Sequence, residues 1–223
     1  MKSVWEKSKA FLPSIAYMVF YLLWFAYLEK TTTRNYTLIH TKVDDYIPFL
    51  EVFIIPYLMW FFYVAFTVIY LYLTNRREYI RACIFLFTGM TIFLAISTIF
   101  PNGHHLRPTY MSRDNIFTAM VSTLWRSDTA TNLWPSIHVY NSIGAHVALM
   151  HSPEFTARKR NRVISLILCI SIILSTMFLK QHSVFDVATA FIMAAIMHLL
   201  VYQRELFFSP SSSKEQAKER KIA

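Results

Sequence analysis

The chain has 223 residues, of which 55% are hydrophobic and only 16% are charged, and its formal net charge is +9. Soluble domains carry about a quarter charged residues, so this composition argues against a soluble enzyme and indicates a membrane protein. A net positive charge suggests nucleic-acid binding in a soluble protein, but here the basic residues lie in short segments between apolar runs. We therefore expect a membrane bilayer around the chain and no nucleic-acid partner.

Six apolar runs follow one another, and a helix needs about 20 mostly apolar residues to cross a bilayer core. The fourth run is too short by itself and is expected to begin earlier, near Trp134. The first run has no small-residue cleavage site after it, so we interpret it as a retained span rather than a signal peptide. The sequence predicts one all-α domain over residues 1–203, a polytopic transmembrane bundle of about six helices. The six runs are 10–28, 50–73, 79–100, 139–151, 163–179 and 184–203.

The basic residues predict the orientation of this bundle. They cluster before the first run, between the second and third, between the fourth and fifth, and after the sixth. With six spans all four clusters fall on one side, which the positive-inside rule assigns to the cytoplasm together with both termini. Residues 204–223 are then a polar cytoplasmic tail. The short loops favour a bacterial plasma (inner) membrane.

Segments outside the spans carry three further expectations. The segment from Ser112 to Arg126 has a helical period and is predicted to lie along the outer interface. Asp44 and Asp45 are expected in a solvated loop. Both cysteines lie inside apolar runs, so they are interpreted as packing residues rather than as a disulfide or a metal pair.

Polar side chains at membrane depth are costly and by default mark function, and Asp186 is the clearest case. On a helix His182 and Asp186 are four residues apart and share a face. The aspartate can accept the proton of one ring nitrogen, which leaves the other nitrogen as a nucleophile toward phosphorus. The alternative reading is a structural hydrogen-bonded pair that closes a helix end.

Other polar residues fall on the same outer side. His138 on a second helix is a candidate general acid for a departing oxygen. Arg107 offers a planar fork for two phosphate oxygens and Lys180 a point charge, although each also fits a snorkelling interfacial cation. The helix N-termini at Ser136 and Ser183 would add backbone donors for an anion. A zinc site formed by His104, His105 and His138 is not favoured, because their spacing matches no zinc motif.

Three blocks in this order resemble the type-2 phosphatidic acid phosphatase superfamily: Arg107-Pro108, Pro135-Ser136-Ile137-His138, and Ser175 with His182 and Asp186. The resemblance implies a metal-independent membrane enzyme without a cofactor, in which His182 accepts the phosphate and Asp186 is its partner. It implies that His138 protonates the leaving group, and that Arg107 and Ser136 bind phosphate.

The chain departs from the family pattern at two cations and one glycine. Phe100 stands where the first block usually has lysine, Thr176 where the third has arginine, and Ile137 where the second has glycine. We expect Lys180 to compensate for the cations, with Arg113, Arg126 or His104 in reserve. The second and third blocks are also similar to those of inositol phosphorylceramide synthase, which passes phosphate to an alcohol.

The favoured function is hydrolysis of a lipid phosphomonoester or diphosphate through a phosphohistidine at the extracytoplasmic face. Phosphatidate, phosphatidylglycerol phosphate and polyprenyl diphosphate are the substrates considered. Two alternatives stay open: a lipid phosphotransferase that uses an acceptor alcohol, and a non-catalytic lipid-binding or transport protein. The missing cations support the last, whereas a nucleophile and an acid together argue for an enzyme.

Overall fold

The computed structural model describes residues 4–32 and 35–203, with the side chains described from residue 11 onward. The predicted tail at 204–223 lies outside the described residues. Two short strands, β1 (Thr37–Leu38) and β2 (Asn102–Gly103), pair in parallel. The helices are α1 (Val4–Thr31), α2 (Ile54–Thr74), α3 (Arg76–Ile99), α4 (Ile116–Ser127), α5 (Ile137–Met150), α6 (Pro153–Thr156), α7 (Lys159–Phe178) and α8 (Val184–His198). A π-helical segment, Leu199–Gln203, continues α8.

The all-α fold class is confirmed, and within the described residues five helices are long and apolar enough to cross a membrane. These five are α1, α2, α3, α7, and α8 with its π-helical continuation. The fourth apolar run forms α5, which has 14 residues and so is only about 21 Å long at 1.5 Å per residue.

The expected extension of α5 back to Trp134 is wrong. The helix begins at Ile137, after Ser136 has capped it by accepting a hydrogen bond from the amide of Val139. A helix this short can serve at the centre of the bundle because α2, α3, α7 and α8 all contact it. Its neighbours cover it, so its length need not match the bilayer.

Two glycines allow α3 and α5 to lie close together. A methyl group on Gly89 would overlap the ring of Tyr140, and one on Gly144 would overlap the ring of Phe85. The rings of Phe85 and Tyr140 stack with their centroids 4.8 Å apart, and the Tyr140 hydroxyl donates to the Phe85 carbonyl at 2.8 Å. This contact anchors the helix that carries His138.

The turns that carry two of the basic clusters meet at one end of the bundle. Asn75, between α2 and α3, donates from its amide to a carboxylate oxygen of Glu154 in α6 at 3.4 Å. The guanidinium carbon of Arg81 lies 5.7 Å from the ring centre of Tyr202, at the far end of α8. This arrangement agrees with basic clusters on one membrane side, and the assignment of that side to the cytoplasm stays a prediction.

The opposite end of the bundle carries a polar layer. It contains the two strands, α4 and the loops that lead into α5 and α8. The predicted interfacial helix is confirmed as a helix, and a capping box at Asn115 begins it. Both cysteines are free, as expected. All six candidate site residues lie in this layer or at the helix ends that border it.

Candidate active site

The tight turn between α7 and α8 brings His182 into the bundle, and we call it the catalytic turn because it carries this candidate nucleophile. The backbone amides of Gln181 and His182 both donate to the carbonyl of Thr176, at 2.9 and 3.1 Å. Lys180 adopts a left-handed backbone with φ of 53°, which reverses the chain direction. As a result, the side chain of His182 points inward and the residue is only 4% exposed.

The structure brings His182, Asp186 and His138 together. Nδ1 of His182 lies 3.4 Å from Oδ2 of Asp186, and Nε2 of His182 lies 3.2 Å from Nδ1 of His138. Asp186 is fully buried, and its Oδ2 also accepts a hydrogen bond from the amide of Ser183 at 3.0 Å. The 3.4 Å contact is longer than a good hydrogen bond, and neither Nδ1 of His182 nor Oδ1 of Asp186 has a well-formed hydrogen bond among the described residues. The backbone carbonyl of Leu133 also lies close to the His182 ring.

His182 is neutral in this arrangement. Burial lowers its pKa to about 3, and the positive charge of Arg107 acts in the same direction. If Nδ1 carries the proton and faces Asp186, Nε2 presents a lone pair. Nδ1 of His138 is then the donor of the bond between the two rings. The lone pair that nucleophilic attack requires is thus on Nε2 of His182, the atom that faces His138.

Aromatic rings of α2 hold the His138 side chain. The ring centres of Tyr57 and Trp60 lie 4.8 and 4.4 Å from that of His138. The backbone carbonyl of His138 also accepts a hydrogen bond from the Ser142 hydroxyl at 2.7 Å. The two rings pack against the imidazole, and the hydroxyl bond holds the backbone that carries it, which suits a group that must transfer a proton at a defined place.

Arg107 reaches the site through Gln181. Its Nη2 donates to Oε1 of Gln181, the residue before His182, and to the carbonyl of Thr129 at 3.1 Å. Its Nη1 donates to the carbonyls of Trp125 and Asp128 at 3.2 and 2.9 Å. Nε of Arg107 is buried and has no partner among the described residues. The guanidinium is therefore held rigidly beside His182.

Gln181 and Asp128 complete a network that sequence reasoning missed. Gln181 is 1% exposed, and its Nε2 donates to Oδ2 of Asp128 at 3.2 Å. The hydroxyl of Tyr57 donates to the same oxygen at 3.4 Å. Gln181 lies between the candidates Lys180 and His182, and this position is its only sequence signal. Asp128 stands at the end of the predicted interfacial helix, and a lone acid there was the only available hint.

Asp128 predicts a pH effect on phosphate binding. Burial raises its pKa to about 6, and Arg107 offsets this only in part. Above that pH the charged carboxylate weakens the attraction of Arg107 for a phosphate, and below it the neutral carboxyl does not. We expect the KM of the wild type to exceed that of Asp128→Asn about fivefold near pH 8, and the two values to converge near pH 5.

The KM ratio is the quantity to measure, because the second ionisation of a substrate phosphate, near pH 6, affects both proteins equally and cancels. A ratio that stays constant across this range would show that Asp128 does not act on the site through its charge.

His104 joins the polar layer to the catalytic turn. Its Nε2 donates to the carbonyl of Gln181 at 3.0 Å, and its Nδ1 accepts from the amide of Leu106 at 3.3 Å. Burial lowers its pKa to about 4. A neutral ring with both nitrogens engaged cannot supply the positive charge for which His104 was held in reserve.

The structure places the other candidate cations on protein groups. Nζ of Lys180 donates to the carbonyls of Asp44 and Ile47 at 2.9 and 2.6 Å. Arg113 pairs with the carboxylate of Glu51 at 3.0 Å, and Nε of Arg126 donates to a carbonyl of its own helix. Arg107 is held by protein groups as well, but one of them is the side chain of Gln181, the residue before His182, and its charge acts on His182.

The N-terminus of α8 already holds a carboxylate. Asp44 is 1% exposed, so the expectation of a solvated loop is wrong for it but holds for Asp45. Oδ1 of Asp44 accepts a hydrogen bond from the amide of Val184 at 2.8 Å, and its Oδ2 accepts one from the hydroxyl of Ser183 at 2.7 Å. Asp44 thus takes the place that the sequence reserved for a phosphate, and it ties the loop before α2 to the catalytic turn.

We expect Asp44→Asn to destabilise the fold. Burial acts to raise the pKa of Asp44, but hydrogen bonds from Ser183, Val184 and Thr41 outweigh it and lower the pKa. The carboxylate therefore contributes stability above about pH 4, and this contribution is lost as the pH falls through the lowered pKa. At neutral pH the substitution is expected to cost about 2 kcal/mol, or roughly 4–8 °C in Tm.

Thermal unfolding in detergent measures this effect, and Asp45→Asn is the matched control. The side chain of Asp45 is 61% exposed, so its replacement should leave Tm within about 2 °C of the wild type. Equal shifts in the two variants would contradict the role given to Asp44.

A comparison with known families bears on the resemblance. The sequence model of the PAP2 superfamily matches residues 106–208, a range that contains all six candidate site residues. This match supports the resemblance to the type-2 phosphatidic acid phosphatase superfamily. Together with the apolar helices, it supports a membrane phosphatase or phosphotransferase. No curated protein and no solved structure matches the chain.

The positions that depart from the PAP2 pattern have structural uses here. Thr176 is fully buried, and its carbonyl accepts the two amides that form the catalytic turn. Phe100 is 42% exposed and packs edge-on against Trp134. The looser resemblance to inositol phosphorylceramide synthase stays a prediction.

Proposed function

We propose that this protein is a lipid phosphatase of the PAP2 type that works through a phosphohistidine on His182. One observation carries the proposal: a neutral, buried imidazole has a carboxylate at one nitrogen and a second imidazole at the other. Arg107 supplies positive charge beside this pair. A nucleophile, its orienting partner, a proton donor and an anion-binding group are thus adjacent.

In the first step the lone pair of His182 Nε2 attacks phosphorus, and the bond from phosphorus to the leaving oxygen breaks. His138, protonated to the imidazolium when the anionic phosphate binds, gives its Nδ1 proton to that oxygen and becomes neutral imidazole. The phosphorylated ring carries a positive charge, which the carboxylate of Asp186 stabilises. In the second step His138 takes a proton from water, whose oxygen attacks phosphorus. The bond from Nε2 to phosphorus then breaks and phosphate leaves.

The bond between the two imidazoles must open for this chemistry. The 3.2 Å between His182 Nε2 and His138 Nδ1 leaves no room for a phosphoryl group. A bound substrate would therefore separate the rings and receive a hydrogen bond from each side. The apolar helices and the site at the end of the bundle support a substrate whose hydrocarbon chains stay in the bilayer.

The proposal is tested by release of phosphate from purified protein in detergent, with a chelator present. Phosphatidate, phosphatidylglycerol phosphate and polyprenyl diphosphate form the panel, each with a labelled terminal phosphate. We expect release from one of them, and an alkaline quench during turnover should leave label on the peptide that contains His182. Release that stops with the chelator, or label on another residue, would overturn the proposal.

A second candidate is a lipid phosphotransferase, and a polar cleft favours it. A cavity of about 530 Å³ lies between β1, the loop before α2 and the catalytic turn. His40, Asp45, His105 and Lys180 line it, and it could hold an acceptor alcohol. Label that passes to an added polyol in preference to water would favour this function. No release and no transfer by folded protein would favour a non-catalytic lipid-binding protein.

A further inference from the structure

An apolar groove runs down the outside of the bundle between α3 and α8. It has a volume of about 290 Å³. Ile92 and Ile96 form its α3 wall, and Ile192, Met193 and Ile196 form most of its α8 wall. Ile192 and Ile196 are 60% and 52% exposed, on helices that are apolar enough to cross a membrane. The groove therefore opens toward lipid.

The upper end of the groove adjoins the active site. Trp134 and Pro135 close this end, and Pro135 comes three residues before His138. At 3.8 Å between consecutive Cα atoms, the two lie at most about 11 Å apart. Ser136, which follows Pro135, donates from its amide to the carbonyl of Asp186 at 3.2 Å. The groove is thus continuous with the backbone that carries two of the catalytic side chains.

The lining of the groove is almost entirely apolar. The one hydroxyl in it belongs to Thr189, and this hydroxyl donates to the carbonyls of Phe185 and Asp186 at 2.8 and 3.1 Å. Among the described residues the indole N–H of Trp134, at the upper end, is buried and has no partner. Below Trp134 and Pro135 the walls are mainly isoleucine and methionine, whose branched and flexible side chains fit hydrocarbon.

The length of the groove also indicates its occupant. From Thr189 to Met197 the α8 wall covers eight residue steps, or about 12 Å at 1.5 Å per residue. One leaflet contributes about 15 Å to a hydrocarbon core of about 30 Å. A chain that starts at the level of the active site and ends near the bilayer centre would fill the groove.

We infer that the groove between α3 and α8 binds one hydrocarbon chain of the phosphorylated lipid. This rests on the proposed function, because it makes the groove the chain-binding part of the same substrate site. Its upper end would fix the chain next to Trp134 with the phosphate near His182, and its depth would set the preferred chain length.

The test places a bulky ring at two depths in the groove. Ile196→Trp fills the deep end and Ile192→Trp the middle, and both side chains face lipid, so neither substitution disturbs the core. We expect Ile196→Trp to lower kcat/KM about tenfold for dioleoyl phosphatidate but little for dioctanoyl phosphatidate. Ile192→Trp should lower both, and neither variant should change the hydrolysis of p-nitrophenyl phosphate, which has no chain.

The matched control is Ile167→Trp on α7. Ile167 is 59% exposed, against 60% for Ile192, and it does not line the groove. Its replacement should leave all three activities within about twofold of the wild type. Wild-type kcat/KM for dioleoyl phosphatidate in both groove variants, or an equal loss in the control, would overturn the inference.

A second measurement separates this inference from the proposed function. A phosphatidate with a photoactivatable diazirine on its chain is irradiated with the protein in detergent, without any turnover. The groove predicts label on the peptides of α3 and α8, and less of it in Ile192→Trp but not in Ile167→Trp. This result can be obtained even if the wild type hydrolyses nothing, and label spread evenly over the helices would overturn the inference.

Discussion

Replacement of His182 by alanine is expected to abolish lipid dephosphorylation, with a loss of turnover of at least about 10⁴-fold. The reason is chemical, because no other imidazole among the described residues is in contact with both Asp186 and His138. Without the Nε2 lone pair no phosphohistidine can form, and His138 has no covalent intermediate to hydrolyse. Release of labelled phosphate and label on the quenched protein should disappear together.

The control for this variant is His151→Ala, which changes an exposed histidine at the opposite end of the bundle. It should retain wild-type turnover. Added imidazole provides a further check, since a free ring in the space left by His182 can attack phosphorus in its place. Turnover of His182→Ala at the wild-type rate would disprove the assignment of the nucleophile. A fold lost on substitution would be recognised by a lower Tm.

The sequence was sufficient for the fold class because hydropathy is a local property. Each long apolar run became a helix that can cross a membrane, whatever its neighbours. The predicted start of α5 is wrong because the true start depends on a cap at Ser136 and on packing around the helix. Neither of these depends on hydropathy. An apolar stretch that tertiary contacts shorten looks the same in the sequence as one that continues.

The sequence could name polar residues but not their partners. It singled out His182, His138, Asp186 and Arg107, and the structure places these side chains close together, although their roles stay proposals. It could not show that Asp44 lies against the start of α8, because 139 residues separate Asp44 from Ser183. The same applies to the bond between Gln181 and Asp128, which are 53 residues apart. Such contacts depend on how the loops and helices are arranged in three dimensions.

Arg107 illustrates how topology changes the meaning of a motif. In the sequence it is an interfacial cation, and snorkelling is an alternative account of it. In the structure its guanidinium is held by three backbone carbonyls and by the amide oxygen of Gln181. A snorkelling arginine would leave its charge in water. Here the charge is fixed next to the residue that carries the nucleophile.

Asp186→Asn is expected to reduce turnover about 10³–10⁴-fold while leaving the fold intact. Asparagine keeps the size of the side chain and an oxygen that can accept from the amide of Ser183. It removes the negative charge that stabilises a positive phosphorylated ring, and it can present a donor to Nδ1 of His182. The proton would then shift to Nε2, which removes the attacking lone pair.

The kinetic pattern distinguishes this role from a structural one. A pure orienting and charge effect lowers kcat for every leaving group and leaves the binding of a competitive phosphate analogue such as vanadate nearly unchanged. A structural defect at the start of α8 would weaken vanadate binding and lower Tm together.

The comparison variant is Asp186→Glu, which keeps the charge but moves it by one methylene, so a turnover above that of Asp186→Asn is expected. Equal activity of Asp186→Asn and the wild type would show that His182 needs no carboxylate, and the 3.4 Å contact would then be a helix-end pair without a catalytic role.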